Sequence, residues 1–292
     1  MRILRILYLL IVLSFMGMEC RAQVAMDQES VNREIYRQSF ESVKENLDKP
    51  LGDLTVLIGK GFIGTPYVAS TLETEPERLR IIMDKTDCIL FVEMCVALAL
   101  TFKGLAIEQG HDPVIVEPSY ELFCNNIRNL RYRDGQVDGY ASRLHYTSEW
   151  ILQGERNGIF GEYTSTLGEP LLQKFSFMST HPDSYRQMKG RSEVRARIAD
   201  VERRLQDHGQ FYQVPRTMVA ETTVLSEIRD GDLVAFVSNV EGLDITHIGI
   251  ACHIGKELHF LHASTNAMEV VLEKKTLTEY VRSGIRLIRI KP

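Results

Sequence analysis

Cys88 stands directly behind Asp87 at the front of a long apolar run, KTDCILFVEMCVALALTFKG over residues 85–104. A cysteine there is either packing material or a nucleophile, and the run around it bears on the choice. Between Asp87 and Lys103 the only charged side chain is Glu93, so the stretch predicts a helix buried on all sides, with Gly104 as its stop signal. Asp87 or Thr86 is the natural N-cap, which puts Cys88 in the first turn. There the free backbone N–H groups and the positive end of the helix dipole favour a thiolate, so a lowered thiol pKa is expected. Cys95 fits the packing role. It lies about 10 Å further along the same helix axis, too far from Cys88 for a disulfide.

A thiolate nucleophile needs a base, and histidines occur on strand-like segments near the C-terminus. Asp230-Gly231 signals a turn before Leu233–Val237, and THIGIACHI and ELHFLHAS then read as two strands around Gly255-Lys256. With a two-residue loop, Ile254 pairs with Glu257, and counting back sets Gly249 opposite His262 and His247 opposite Ser264. His247 and His262 then become diagonal neighbours on one face, within reach of a side-chain hydrogen bond. A three-residue loop would flip the register and separate them. The opposite face carries Ile248, Ile250, Cys252 and Leu261, so Cys252 reads as core; His253 and His259, near the hairpin tip, read as solvated.

The elements that must position these residues follow from the rest of the chain. MRILRILYLLIVLSFMGMECRAQ opens with Arg2 and Arg5 ahead of a leucine-rich stretch and ends in small residues, the pattern of a secretory signal peptide over 1–22. A retained membrane anchor is the alternative, but the stretch is short and no basic cluster follows it. The remainder, 23–292, is long enough for one large domain with a substantial insertion, and its connection over about 105–229 exceeds what a catalytic core needs. Amphipathic stretches there, SRLHYTSEWILQ and SEVRARIADVERRLQDHG, predict a mainly helical insertion over the cleft, the second a solvated helix face. Arg143, His145 and Trp150, the single tryptophan, combine a carboxylate clamp with a stacking surface; ordinary inter-helix packing explains the same spacing. A net charge of −5 argues against a nucleic-acid surface. The cysteines Cys88, Cys95, Cys124 and Cys252 form no CxxC pair, so neither a zinc site nor a disulfide framework is expected.

Together these motifs carry a family resemblance. GKGFIGTPYVASTLE before DC, the buried helix, then GDLVAF, HIGI and FLHAS resemble the NlpC/P60 order of a Gly-x-Pro-Tyr segment, catalytic Cys, base His and a third polar residue. DCILFVEMCVALAL, GYASRLHYTSEWI and FMSTHPDSY resemble its DUF1460 branch, whose members are bacterial cell-wall amidases acting on N-acetylmuramoyl-L-alanine in muropeptides. The resemblance implies an α+β fold, a papain-like core in which the catalytic helix packs on an antiparallel sheet. It implies Cys88 as nucleophile, His247 as base, His262 as the residue orienting that base, and the Tyr67 hydroxyl beside the Cys88 N–H at the oxyanion. Asp87 is a cap and a candidate substrate contact, with Arg143, His145 and Trp150 as further substrate contacts. The expected partners are peptidoglycan fragments in the periplasm, with no metal or organic cofactor, no nucleic acid and no membrane span once the signal is cleaved. Ile89-Leu90 replaces the Ser-Gly usual after the cysteine, which fits the narrower branch. A stem-peptide endopeptidase and a non-catalytic wall-binding module are the alternatives.

Overall fold

The computed structural model describes residues 28–108 and 117–291; the expected signal peptide, 1–22, lies outside the described residues. A helix through residues 28–43 (α1) is followed by α2 (Leu51–Gly61), α3 (Cys88–Glu108), α4 (Tyr120–Arg131) and α5 (Thr147–Arg156). Then come β1 (Phe160–Glu162), β2 (Glu169–Leu171), α6 (Phe177–Thr180), α7 (Ser192–Asp207), β3 (Phe211–Pro215) and α8 (Thr222–Leu225). The C-terminal part holds β4 (Leu233–Val237), β5 (Ile245–Ile254), β6 (Glu257–Ser264), β7 (Glu269–Leu272), α9 (Leu277–Tyr280) and β8 (Gly284–Ile290). The class is α+β: helices packed on an antiparallel sheet ordered β2-β3-β8-β4-β5-β6-β7, with β1 also pairing β8. The segment between α3 and β4 is mostly helical, yet three of its strands join the sheet that carries the histidines.

Alternation along the strands sorts the side chains onto two faces. Leu233, Ala235, Ile248, Ile250, Cys252, Leu261 and Ala263 join a core built with α1 to α4, whereas Val234, Phe236, Ala251, Leu258 and Phe260 join a second core with Val224, Leu277 and Val281. Both faces are covered, so every residue of β4 is buried. α3 lies within the first core, where Phe91, Val92, Cys95, Val96, Ala97, Leu98, Ala99 and Phe102 are all fully buried. It runs past Gly104, the expected stop, to Glu108; a single glycine costs only about 1 kcal/mol in a helix interior, which packing on this scale overrides. α7 buries one stripe, Ile198, Val201 and Leu205, and with it Glu202, which accepts from the Tyr146 hydroxyl and the Ser179 N–H; charge is exposed on the opposite side, as its pattern predicts.

The β5–β6 hairpin turns at Gly255, where φ is 61°, and pairs Ile254 with Glu257. The ladder continues only to Ile250↔Leu261. The pairing of Gly249 with His262 expected from the sequence is absent because the strands part there, β5 staying with β4 and β6 turning to β7. At the fork a Cβ on Gly249 would lie 2.7 Å from the Phe260 ring and 2.8 Å from the Leu261 carbonyl. Only glycine permits that approach.

Trp150 corrects another expectation. It is 1% exposed, its ring 4.4 Å from that of Phe160 inside the first core, so it offers no surface for a sugar or peptide. An indole is too large an apolar body to leave in water when an α5 position facing the core is open to it. Trp150→Ala is therefore expected to lower unfolding free energy in urea by about 3–5 kcal/mol, while the KM of the folded fraction stays at the wild-type value.

Candidate active site

The start of α3 is built as the sequence implies. Asp87 Oδ1 accepts the Leu90 N–H at 3.0 Å and its carbonyl accepts the Phe91 N–H at 3.0 Å, so Asp87 caps the helix and Cys88 opens it. The buried Thr86 takes backbone bonds from both sides: its N–H donates to the Pro66 carbonyl at 3.0 Å and its carbonyl accepts the Val68 N–H at 2.8 Å. The same short segment covers the free edge of β7, with the Tyr67 N–H donating to the Met268 carbonyl at 2.8 Å. Tyr67 is thereby held beside the cysteine. Burial pushes its phenol pKa up, and negative charge on Cys88 and Asp87 adds to the shift.

His247 and His262 meet on one face as expected, although the counted pairing of Gly249 with His262 is absent. His247 Nε2 lies 2.7 Å from His262 Nδ1, the rings edge to face at 85°. His262 is 1% exposed, whereas His247 is half-buried. Phe236, Phe260 and Tyr280 close around the pair, with Phe260 and Tyr280 centroids 4.8 and 5.7 Å from that of His262. Because Nε2 of His247 is engaged by His262, Nδ1 is the nitrogen left to exchange a proton. Cys88 lies at the fork in the sheet: the N–H of Ile248, the residue after His247, is directed at the Cys88 sulfur.

The electrostatics of this cluster depart from one expectation. The amide N–H groups of Ile248, Ile89 and Cys88 all face the thiol and lower its pKa, but burial outweighs them and, with the Asp87 charge, pushes it up to about 12. Burial, with His262 adding, pushes His247 down to about 3. Both shifts favour the neutral thiol and the neutral imidazole over their charged forms. The helix terminus contributes as expected, but it is the smaller effect here.

Beside Asp87 lies a cavity of about 330 Å³, lined by Ser70, Glu73, Glu93, Arg131, Arg143 and His145 among others. It brings together Asp87, Arg143 and His145, while Trp150 is elsewhere. Arg143 is not a free clamp: Nη1 pairs with Glu73 at 3.1 Å, Nε sits 3.3 Å from Glu77, and the guanidinium stacks 4.7 Å over Tyr140. Its Nη2 has no hydrogen-bond partner among the described residues. His145 donates from Nε2 to the Tyr140 carbonyl at 2.8 Å, and burial beside Arg143 pushes its pKa down to about 3. Arg131 is matched by Glu93 at 2.9 Å.

Two residues at the histidine pair were not anticipated. Glu273 Oε2 lies 3.3 Å from His262 Nε2, and Tyr280 packs over both imidazoles. Extending the strand count one hairpin further would have found the first: His262 pairs with Val271, and Glu273 is two residues on, on the same face. His259, expected to be solvated, is 6% exposed, its Nδ1–H directed at the Glu273 and Lys275 carbonyls at 3.1 and 3.2 Å. His253 is half-buried and pairs with Asp230 at 2.6 Å. Cys252 and Cys95 are core as expected, and the four cysteines among the described residues are free thiols. Among the described residues, no cluster of three or more His, Cys, Asp or Glu could hold a metal ion, and no helix is long and apolar enough to cross a membrane.

The fold resembles an N-acetylmuramoyl-L-alanine amidase from Bacteroides uniformis at 35% identity, with a TM-score of 0.73 and 83% of this chain and 99% of that one covered. A Bacteroides fragilis protein carrying the provisional name xylanase is similar at 37% identity, with a TM-score of 0.70 over 80% of this chain and 99% of that one. The fold alone is shared with a DUF1460 protein of Legionella pneumophila, at 20% identity and a TM-score of 0.66 over 92% of this chain and 97% of that one. No curated protein matches. Residues 57–285, which hold every member of the Cys88, His247 and His262 cluster, match the AmiA-like family, and the chain belongs to that N-acetylmuramoyl-L-alanine amidase-like family.

Proposed function

We propose that this protein is a cysteine amidase that hydrolyses the N-acetylmuramoyl-L-alanine bond of peptidoglycan fragments. The observation that carries the reading is the array at the fork of β5 and β6: a cysteine opening a buried helix and taking the N–H of the residue after His247, and His247 itself held by a second histidine at 2.7 Å. Nucleophile, base and orienting group in this order are what acyl transfer from an amide requires. The papain-like core of the NlpC/P60 superfamily, reached through the DUF1460 branch, is part of the proposal, as are the single domain over 23–292 and export to the periplasm through residues 1–22.

In this mechanism Cys88 Sγ attacks the lactyl carbonyl while its proton passes to His247 Nδ1. The oxyanion is met by the Cys88 N–H and by the hydroxyl of Tyr67, which makes no hydrogen bond to a described residue. The intermediate collapses with cleavage of the C–N bond, and His247 returns the proton to the leaving L-alanine amine. His247 then deprotonates water, which attacks the thioester; the muramic acid carboxyl departs and the sulfur regains its proton. Because burial favours the neutral forms, charge separates only during attack, when fixed N–H dipoles already face the sulfur.

A stem-peptide endopeptidase is the second reading. The Asp87 carboxylate lines the cavity and could meet a free amine, and burial of Trp150 removes the expected saccharide platform. Glycoside hydrolysis needs two carboxyl groups flanking the bond, whereas here Glu73 and Glu93 are held by arginines and Asp87 caps a helix. An assembled array speaks against a wall-binding module without catalysis.

Mass spectrometry of products separates the enzyme readings. A disaccharide tetrapeptide is expected to yield sugar plus intact tetrapeptide, and the sugar-free tetrapeptide to remain uncut; release of L-Ala-D-Glu from the latter would reassign the protein as an endopeptidase. Cys88→Ala should lower turnover by about a thousandfold or more with the fold intact, as judged by circular dichroism, while Cys95→Ala stays active. His262→Gln should keep part of the activity that His262→Ala loses, and His247→Gln should be as inactive as His247→Ala. A raised thiol pKa means that thiolate accumulates only as pH rises. Iodoacetamide labelling of Cys88 should therefore accelerate steadily through about pH 9; a plateau between pH 5 and 8 would reveal a resting ion pair instead.

A further inference from the structure

The hydrogen-bonded chain continues past His262. Glu273, on the turn after β7, points Oε2 at His262 Nε2 from 3.3 Å, and every other polar group of this residue is engaged. Its Oε1 accepts the Lys275 N–H at 3.1 Å, its own N–H donates to the Phe260 carbonyl at 2.9 Å, and its carbonyl accepts from the buried His259. The same turn leads into Thr276, whose side chain and that of Glu279 cap α9 reciprocally, and α9 carries Tyr280 over the imidazoles. The titratable groups that face His262 are His247 from β5, Glu273 and Tyr280; Cys88 and Arg282 bear on it through Tyr280. Glu273 is the only carboxylate among them.

We infer that Glu273 is a positioning residue for the base: it holds His262 as the Nε2–H tautomer, so that His262 Nδ1 accepts from His247 Nε2–H and His247 Nδ1 keeps the lone pair that takes a proton. No other assignment satisfies both contacts with Glu273 ionised, since a carboxylate only accepts and each neutral imidazole has one donor. When His247 takes the Cys88 proton, the new positive charge arises in a pocket walled by Phe236, Phe260 and Tyr280, and Glu273 is its counter-charge. Burial holds His262 below its usual pKa while Glu273 opposes that shift, in keeping with this geometry. The inference rests on the cysteine-hydrolase reading.

The test separates a charge from a mere turn anchor by comparing Glu273→Gln, which keeps size and acceptor, with Glu273→Asp, which keeps charge. ¹⁵N NMR of the histidines needs no substrate and reads tautomer and titration directly. The wild type should show Nε2–H for both histidines. Removing the carboxylate disfavours the imidazolium, so in Glu273→Gln the pair should protonate at a pH lower by about half a unit or more. With the disaccharide tetrapeptide, the acid limb of kcat/KM should move the same way and kcat should fall about tenfold or more at near-constant KM. Glu273→Asp should keep the wild-type limb. A wild-type titration in Glu273→Gln, or an equal shift in both variants, would overturn the inference. If the wild type leaves the muropeptide uncut, the amidase reading fails, and the NMR titration still decides the role of Glu273.

Discussion

Burial of α3 on every side is the constraint on which the site depends. A helix in contact with the sheet, α2 and α4 has neither rotational nor axial freedom, because interiors pack as densely as organic crystals and any shift opens voids. Small side chains at Cys95, Ala97 and Ala99 let the neighbours approach closely, and Phe91 and Phe102 fill the space that remains. The charge that this burial traps, Glu93, is matched by Arg131 from α4. A buried carboxylate without that partner would be strongly destabilising. What emerges is a helix N-terminus at a set position, and Cys88 is its first residue.

The sheet supplies the complement by coming apart. β5 and β6 pair tightly near the turn and separate beyond Ile250 and Leu261, so the N–H of Ile248 has no strand to donate to and serves the cysteine sulfur instead. Backbone amides must find acceptors when buried, and here the acceptor is the thiol. The same divergence leaves room for two imidazoles edge to face, with Gly249 at the narrowest point. Packing of the helix and splitting of the sheet are one arrangement seen from its two faces.

The neighbouring cavity is charged but largely self-neutralised. Arg131 belongs to Glu93, and Arg143 to Glu73 and Glu77, so each cation arrives with its own counter-charge. What the cavity offers is directional donors and acceptors more than bulk charge, among them Arg143 Nη2, which has no hydrogen-bond partner among the described residues, and the edge of His145.

Much of this was legible in the chain itself. The apolar run of α3, its Asp87 cap and the two-residue loop at Gly255-Lys256 are local: each follows from side-chain period, capping chemistry or strand alternation, and these set His247 and His262 on one face, although the fork at which they meet was not legible. What local pattern does not encode is competition among segments distant in sequence. Trp150 and Arg143 have the residue types of a binding surface, but whether an indole meets a ligand or Phe160, and whether a guanidinium meets a ligand or Glu73, depends on which chain segments arrive beside them. The direction of the Cys88 pKa belongs to the same class: the helix start that favours the thiolate is a sequence property, whereas the desolvation that overrides it is the sum of everything packed around the sulfur. Tertiary structure alone decided these points, because burial is a property of the assembled neighbourhood and not of any one stretch of chain.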